Sequence, residues 1–289
     1  MKILVLGGTR YFGKRLVHSL IAKNHDVTVL TRGNTKDDFG SKVKHLEADR
    51  TQLESMKKAL GDKTFDVVVD NICMTAKDVE ISLELFSGKI KHYVMTSTVS
   101  VYHFGANLKE GDFNPLTYQA VAPTNPAEVY AEGKRAAENV FAAKAPFKWA
   151  FARIPVVVGE DDYTERLLKQ VQSIKTGKPL YYPNLDAKFS FIRSEDAANA
   201  LLWIIENHKE GIYNFASEEP MVLRSLVHLI EKVVDKKVSL SDKASQEYWS
   251  PYGIPADWYV NVSKAFGEGY RAPQVMEWMP GLIKVLAEK

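Results

Sequence analysis

Residues 3–13 read Ile-Leu-Val-Leu-Gly-Gly-Thr-Arg-Tyr-Phe-Gly, a short apolar run that ends in a glycine-containing turn. Phe12, Leu16 and Leu20 then recur at helical spacing. A strand, a tight glycine turn and a helix begin the βαβ unit of nucleotide-binding sheets, in which backbone N–H groups and the helix N-terminus face a phosphate. We therefore predict a dinucleotide at the segment Gly7–Gly13. Its predicted contacts are Gly7, Thr9, Arg10, Tyr11, Phe12 and Gly13.

The same turn also matches most of the P-loop pattern of nucleoside triphosphatases. Gly8 and Gly13-Lys14 have the spacing of that motif, but residue 15 is Arg. A P-loop needs Ser or Thr there, because its hydroxyl binds magnesium. This interpretation is therefore excluded.

Apolar runs alternate with helical patterns through the first half of the chain, which is typical of a parallel sheet with crossover helices. The runs are short and apolar on both faces, as buried parallel strands are. They predict an α/β fold with a Rossmann-type, doubly wound parallel sheet. The predicted strands are Ile3–Leu6, Val27–Leu30, Val43–Ala48, Val67–Val69, Tyr93–Met95 and Trp149–Ile154.

The pattern becomes irregular after Pro155. We predict a helix at Glu165–Thr176, a strand at Phe189–Ile192 and a helix at Glu195–Asn207. The expected organisation is a nucleotide-binding domain and a smaller, discontinuous C-terminal domain that binds substrate. The nucleotide-binding domain takes residues 1–155 plus 187–210, and the small domain takes residues 156–186 plus 211–289.

Composition excludes several classes of protein. The chain has 289 residues and a net charge of +2, so no strong overall field attracts nucleic acid or anionic lipid. Cys73 is the one cysteine, which excludes an internal disulfide and fits a reducing compartment. Histidines stand at seven scattered positions without metal-binding spacing, and no apolar stretch reaches the length of a membrane span. We expect a cytoplasmic protein with no metal site.

The end of the second predicted strand bears on which nicotinamide cofactor is bound. It reads Leu30-Thr31-Arg32-Gly33, without the carboxylate that binds a free ribose 2′-hydroxyl. Arg32 and Arg10 could pair with a 2′-phosphate instead. This favours NADP and leaves NAD possible. Asp49 is a candidate contact for the adenine amino group.

Hydroxyl side chains follow the fifth predicted strand, and a Tyr and a Lys come later. Thr96–Tyr102 reads Thr-Ser-Thr-Val-Ser-Val-Tyr, and Tyr130 and Lys134 are four residues apart. That spacing places both on one face of a helix. An ammonium beside a phenol favours the phenolate, which can exchange a proton with a hydroxyl or carbonyl group.

This order of motifs resembles the extended short-chain dehydrogenase/reductases, the NAD(P)-dependent epimerase/dehydratase group. The resemblance rests on Gly7–Gly13, Thr96–Tyr102, Tyr130–Glu138, Phe191–Ala197 and Ser263–Tyr270. It implies that Thr98 hydrogen-bonds the reacting oxygen, that Tyr130 is the acid/base, and that Lys134 activates it and holds the ribose. It also implies that the glycines, Arg32 and Asp49 bind the cofactor.

The sequence departs from the family pattern at two places. Relatives that eliminate water from a sugar carry Asp-Glu after the Thr, where this chain has Val99 and Ser100. This disfavours sugar 4,6-dehydration. Arg10 and Arg32 stand where sugar epimerases usually show glycine and an acid. The Gly-Gly-Thr-Arg loop also resembles that of the chloroplast stem-loop RNA-binding proteins.

Two classes of function therefore stay open. The first is an enzyme that transfers hydride at a carbinol or ketone carbon of a sugar nucleotide or related small molecule, as an epimerase or a reductase. Its substrate contacts are predicted to be Ser100, Arg153, Arg166 and Arg193. The second is a non-catalytic RNA-binding or cofactor-sensing protein, which the near-neutral charge disfavours. A homodimer through the helices near 79–86 and 130–143 is a further expectation.

Overall fold

The chain folds into two units. The computed structural model describes residues 1–123 and 125–289. Unit 1 comprises residues 1–101, 110–154 and 197–214, and unit 2 comprises residues 102–109, 155–196 and 215–289.

Strands and helices alternate along most of the first half. The strands are β1 (Lys2–Leu6), β2 (Asp26–Thr31), β3 (Lys44–Glu47), β4 (Val67–Asp70), β5 (His92–Thr98), β6 (Gly105–Leu108), β7 (Lys148–Ile154), β8 (Val156–Val158), β9 (Lys188–Phe189), β10 (Phe191–Arg193), β11 (Gly211–Asn214), β12 (Met221–Val222) and β13 (Trp258–Val260). The helices are α1 (Tyr11–Ala22), α2 (Leu53–Leu60), α3 (Ala76–Phe86), α4 (Pro126–Lys144), α5 (Arg166–Thr176), α6 (Ser194–Glu206), α7 (Leu223–Val234), α8 (Ser263–Gly267) and α9 (Val275–Ala287).

Unit 1 is built on a parallel sheet with the strand order β11-β7-β5-β4-β1-β2-β3. The order reverses between β1 and β4, and β1 pairs in parallel with β2 on one side and with β4 on the other. In a sheet of this kind the carboxyl ends of the strands next to the reversal form the ligand-binding edge. Leu6 of β1 pairs with Leu30 of β2 and with Asp70 of β4, so the glycine turn begins at that edge.

This architecture confirms the predicted α/β fold with a Rossmann-type parallel sheet, and all six predicted strands lie in it. The boundaries of the units differ from those expected. Residues 211–214 belong to unit 1, because β11 pairs with β7 at the edge of the sheet. Residues 187–196 belong to unit 2, because β9 pairs with β12 and β13, and β10 pairs with β8.

Unit 2 has its own small sheet and its own core. Its sheet has the order β12-β9-β13-β6, and helices α5, α7 and α9 pack against one another. The buried rings of Phe189, Phe191 and Tyr252 contact one another in that core. Among the described residues we find no helix with the length and apolarity that a membrane crossing requires.

A buried ion pair joins α4 to β7 in unit 1. Arg153 and Glu138 are both fully buried, with a guanidinium nitrogen 2.5 Å from the carboxylate. Arg153 also donates to the backbone oxygens of Glu110 and Phe113 at 2.9 and 3.0 Å. These hydrogen bonds compensate the cost of burying the charge. The expected contact between Arg153 and a substrate is therefore replaced by a structural ion pair, since its side chain is not accessible.

We expect Glu138→Ala to lower the free energy of unfolding by about 3–5 kcal/mol, because it leaves the Arg153 charge buried and uncompensated. Lys148, on the same strand as Arg153, offers a matched control, because its ion pair with Glu210 is exposed. Glu210→Ala should cost less than about 1 kcal/mol. Denaturant unfolding of both variants measures the difference, and equal losses would contradict the assignment.

His92, the first residue of β5, is a buried titratable group. Its side chain is 4% exposed, and burial lowers its pKa from 6.5 to about 4. A histidine with a lowered folded-state pKa binds fewer protons than the unfolded chain at mildly acidic pH. Above pH 6.5 the imidazole is neutral in both the folded and the unfolded chain. As the pH falls from 6.5 toward 4, only the unfolded chain takes up a proton, and the free energy of unfolding therefore decreases.

We expect wild-type protein to lose about 2 kcal/mol more stability than His92→Leu between pH 7 and pH 4.5, because only the wild type must keep an imidazole neutral. Denaturant unfolding at several pH values gives both curves. Parallel curves for the two proteins would show that His92 does not titrate between these limits.

Candidate active site

The glycine turn after β1 brings backbone very close to backbone. Gly7 has φ +79°, a conformation that favours glycine. A Cβ at Gly7 would lie 2.5 Å from a methyl group of Ile72, and a Cβ at Gly13 would lie 2.6 Å from the carbonyl oxygen of Gly7. Helix α1 starts at Tyr11, and its first turn carries no acidic residue. This close-packed turn before a helix N-terminus fits a phosphate group.

Asn71, directly after β4, ties the glycine turn to β5. Its Nδ2 donates to the carbonyl oxygen of Gly7 at 3.3 Å, and its Oδ1 accepts from Thr96 Oγ1 at 2.8 Å. The turn, the end of β4 and the end of β5 are thus joined by one side chain. The sequence alone does not identify Asn71, because its contacts depend on which strands are neighbours.

Of the residues expected near an adenosine, Arg32 and Asp49 follow β2 and β3, whereas Arg10 directly precedes α1. Arg10 Nε donates to Thr35 Oγ1 at 3.0 Å, and Arg32 is exposed. Asp49 accepts from the N–H and the hydroxyl of Thr51 at 2.9 and 2.7 Å. These hydrogen bonds, together with the charge of Arg32, lower the pKa of Asp49. Asp49 is therefore held as a carboxylate.

A second carboxylate lies beside this group. The carboxyl carbon of Glu47, the last residue of β3, is 2.9 Å from the position that a Cβ of Gly33 would take. Thr31 and Glu47 are partners in the parallel register of β2 and β3. An acid from the neighbouring strand thus lies close to the end of β2, which the sequence of β2 alone does not reveal.

Thr98 and Ser100 form a hydroxyl pair at the end of β5. Thr98 Oγ1 accepts from the N–H of Ser100 at 3.1 Å and donates to its Oγ at 3.2 Å. Thr98 is 7% exposed. The strand end therefore holds the Thr98 hydroxyl in a fixed position.

Tyr130 and Lys134 lie one turn apart on α4, and their environments differ. The Tyr130 side chain is 41% exposed, whereas Lys134 is 3% exposed. Lys134 Nζ donates to the carbonyl oxygens of Cys73 at 2.5 Å and of Thr96 at 2.9 Å. An ammonium group has three donors. These two hydrogen bonds leave a third for a ligand.

Gly133 allows α4 to approach the loop after β4. A Cβ at this position would lie 2.7 Å from the carbonyl oxygen of Met74. Only a residue without a side chain permits that approach without a shift of the helix or the loop. The neighbouring Lys134 therefore reaches the Cys73 carbonyl because residue 133 is glycine.

The structure places most of the predicted site residues in unit 1. Arg166 and Arg193 belong to unit 2. Arg193 donates to both carboxylate oxygens of Asp196, at 2.7 and 3.1 Å, and Arg166 is the exposed first residue of α5. In the described part of the chain, no group of three or more His, Cys, Asp or Glu residues is arranged to hold a metal ion. The predicted site residues in unit 1 are Gly7, Thr9, Arg10, Tyr11, Phe12, Gly13, Arg32, Asp49, Thr98, Ser100, Tyr130, Lys134 and the buried Arg153.

Two characterised proteins are similar to the chain in sequence. The chloroplast stem-loop binding protein of 41 kDa b from Arabidopsis thaliana is 29% identical over 247 residues, which cover 80% of this chain and 62% of that protein. The chain thus spans less than two thirds of that relative. The 2′-dehydrokanamycin reductase of Streptomyces kanamyceticus is 21% identical over 272 residues, which cover 89% of this chain and 70% of the reductase.

The fold is that of a solved sugar-nucleotide enzyme. The structure of UDP-glucose 4-epimerase from Thermus thermophilus in complex with NAD superimposes with a TM-score of 0.74 at 19% identity, covering 100% of this chain and 98% of the epimerase. The model of the NAD dependent epimerase/dehydratase family matches residues 3–216, from β1 to β11. The chain therefore belongs to the NAD dependent epimerase/dehydratase family, as its sequence motifs predicted.

Proposed function

We propose that the chain is an enzyme that transfers a hydride at a carbinol or ketone carbon of a sugar nucleotide or related small molecule, with NADP as the preferred cofactor. The observation that carries this proposal is the arrangement of Lys134. Its ammonium is buried under two backbone carbonyls, and the exposed Tyr130 lies one turn away on the same helix. A protein that only binds RNA has no need of this arrangement.

The residues of unit 1 fit a dinucleotide. The close-packed turn Gly7–Gly13 and the N-terminus of α1 would hold its phosphates, and the third donor of Lys134 would hold the ribose next to the nicotinamide. Asp49 would contact the adenine, and Arg10 and Arg32 the adenosine ribose. When bound, the nicotinamide supplies a carbon that accepts or returns a hydride.

Tyr130 performs the proton transfer. In the direction of oxidation, the Tyr130 phenolate takes the hydroxyl proton of the substrate while the hydride leaves the same carbon. The Thr98 hydroxyl hydrogen-bonds the reacting oxygen, and the Lys134 ammonium stabilises the phenolate by its charge. In the direction of reduction, Tyr130 returns the proton to the oxygen.

The type of reaction follows from what happens to the ketone. A reductase releases its product after one hydride transfer, whereas an epimerase returns the hydride to the opposite face of the ketone. Similarity to an antibiotic reductase favours the first, and the fold of a sugar-nucleotide epimerase favours the second. Val99 stands where the dehydratases have an acid, and it is 3% exposed. A buried valine cannot donate or accept a proton, which argues against elimination of water.

Three of the four predicted substrate contacts remain in this proposal, because Arg153 is buried in an ion pair. Ser100 lies beside the Thr98 hydroxyl, and Arg166 is exposed, so both are kept as candidates. Arg193 is kept as a weaker one, because a substrate phosphate would compete with Asp196. The described surface of α3 exposes Lys77, Glu80 and Glu84, and a homodimer through α3 and α4, near residues 79–86 and 130–143, stays a prediction.

One relative supports a second candidate function. The chain is 29% identical to a chloroplast stem-loop binding protein, whose name describes binding of a stem-loop rather than catalysis. A non-catalytic role of this kind would leave the hydroxyl groups of Thr98 and Tyr130 without use. The experiment on Tyr130 therefore separates the two functions.

We expect Tyr130→Phe to lower turnover at least about 100-fold while cofactor affinity changes less than about twofold, because only the proton-transferring hydroxyl is removed. Turnover is measured with a panel of sugar nucleotides and NADP, by nicotinamide absorbance for a reductase and by separation of isomers for an epimerase. Wild-type turnover in Tyr130→Phe would exclude Tyr130 as the acid/base. Absence of cofactor binding and turnover in wild type, with salt-dependent binding of a stem-loop RNA, would establish the second function.

We expect nucleotide-free protein to bind NADPH more tightly than NADH, because the guanidinium of Arg32 can pair with the 2′-phosphate. Arg32→Asp should reduce this preference by about tenfold or more. Glu47→Gln is the counterpart of opposite sign, and it should increase the preference, because it removes a negative charge from the same region. Calorimetric titration with both cofactors measures all three proteins.

A preference for NADH in the wild type would overturn the assignment of NADP and would indicate that Glu47 binds the ribose hydroxyls. In that case Glu47→Gln should weaken NADH binding, and Arg32→Asp should leave it nearly unchanged. The two variants thus distinguish the two cofactors whichever the protein prefers.

A further inference from the structure

A buried arginine lies directly after the predicted adenine contact. Arg50 is 4% exposed, and its guanidinium donates to the carboxylate of Asp70, which is fully buried at the end of β4. It also donates to the carbonyl oxygen of Asp78 at 2.8 Å and to Ser82 Oγ at 3.2 Å. The hydroxyl of Tyr93 donates to the same Asp70 oxygen at 2.6 Å. One guanidinium thus binds groups from β4 and α3 at once.

The two carboxylates around Arg50 hold the loop between β4 and α3. Asp70 Oδ1 accepts from the N–H of Ile72 at 3.0 Å. Asp78 Oδ2 accepts from the N–H groups of Met74 and Thr75 at 2.9 and 3.0 Å, and one of its oxygens is 3.5 Å from Arg50. The backbone on both sides of residue 73 is therefore fixed by carboxylates that the arginine neutralises.

Residue 73 supplies the carbonyl oxygen that accepts from Lys134 at 2.5 Å. A shift of this loop would therefore move the carbonyl that orients the ammonium. A buried ion pair is by itself weak evidence for stability, since apolar residues of similar volume often serve as well. Here the charges carry several directed hydrogen bonds to backbone groups, which apolar residues do not provide.

We infer that Arg50 and Asp70 are positioning residues for Lys134, which act by fixing the carbonyl oxygen of Cys73. This inference rests on the proposed function, in which Lys134 holds the ribose next to the nicotinamide. Neither residue is placed in contact with substrate. Their effect reaches the cofactor through the loop and the ammonium group.

A double-mutant cycle on cofactor affinity tests this inference without a known substrate. Lys134→Met should weaken binding of the preferred cofactor by about tenfold, and Arg50→Lys by about fivefold, because lysine keeps the charge and loses the fork of donors. The double variant should bind no more weakly than Lys134→Met alone. Calorimetric titration of the four proteins with the same cofactor gives the four affinities.

A fragment of the cofactor separates this route from an effect at the adenine end. Adenosine 2′,5′-bisphosphate lacks the nicotinamide ribose, so Arg50→Lys should change its affinity less than twofold. An equal loss of affinity for the fragment and for the whole cofactor would overturn the inference, because it would indicate an effect through Asp49, the neighbour of Arg50 in the sequence.

A second variant keeps the test valid if Arg50→Lys does not fold. Asp70→Asn retains an oxygen for the N–H of Ile72 and removes the buried negative charge, and the same cycle applies to it. Leu60→Ala, in the buried face of α2, is the control for lost stability, and it should leave cofactor affinity unchanged. Thermal unfolding shows that each variant is folded before titration.

The outcomes are distinguishable. Additive effects of Arg50→Lys and Lys134→Met would overturn the positioning role and leave the proposed function intact. Full cofactor affinity in Lys134→Met would overturn the role of Lys134 in the proposed function, and the positioning role with it. A loss in Arg50→Lys that disappears in the Lys134→Met background supports the inference.

Discussion

Lys134 places an ammonium group inside unit 1, where the carbonyl oxygens of Cys73 and Thr96 accept its hydrogen bonds. A charge in this position costs solvation energy, which directed contacts with backbone dipoles offset. The contact requires that α4 lies close to the loop after β4, which Gly133 permits. It also requires that the loop keeps its backbone conformation. The arrangement of β4, β5 and α4 is thus constrained by a single side chain.

Buried charges lie on both sides of β5, the strand that ends at Thr98. On one side, Ser97 of β5 donates at 2.5 Å to Glu138, whose partner arginine lies on β7. On the other side, Tyr93 of β5 donates to Asp70, whose partner is Arg50. Because each carboxylate is neutralised and hydrogen-bonded, a small displacement of the strand would break several polar contacts in a dry environment. Strand β5 is therefore held in one register and one height relative to its neighbours.

Local patterns in the sequence predicted the fold, which the structure confirms, and they indicated candidate site residues, whose roles stay predictions. The apolar runs gave the strands, and the spacing of Tyr130 and Lys134 follows from helix geometry alone. What the sequence did not reveal depends on neighbours that are distant along the chain. Arg153 resembles a substrate contact until Glu138, on a different element, is seen to neutralise it. Asp70 is a charged residue at the end of an apolar strand, and the sequence shows this. Its structural role depends on Arg50, which follows β3 and is distant along the chain. Strand β11 has few apolar residues, and only its pairing with β7 identifies it.

The seclusion of Lys134 also determines how the protein behaves toward amine-selective reagents. Acylating and cross-linking reagents need an accessible amine, and lysines such as Lys91 and Lys237 present 81% and 86% of their side chains to solvent. Lys134 presents 3% and holds its nitrogen against two carbonyl oxygens. Surface lysines will therefore be labelled first, and labelling of residue 134 reports that the loop after β4 has opened. Mass-spectrometric footprinting of that one lysine is accordingly a direct measure of local unfolding at the site.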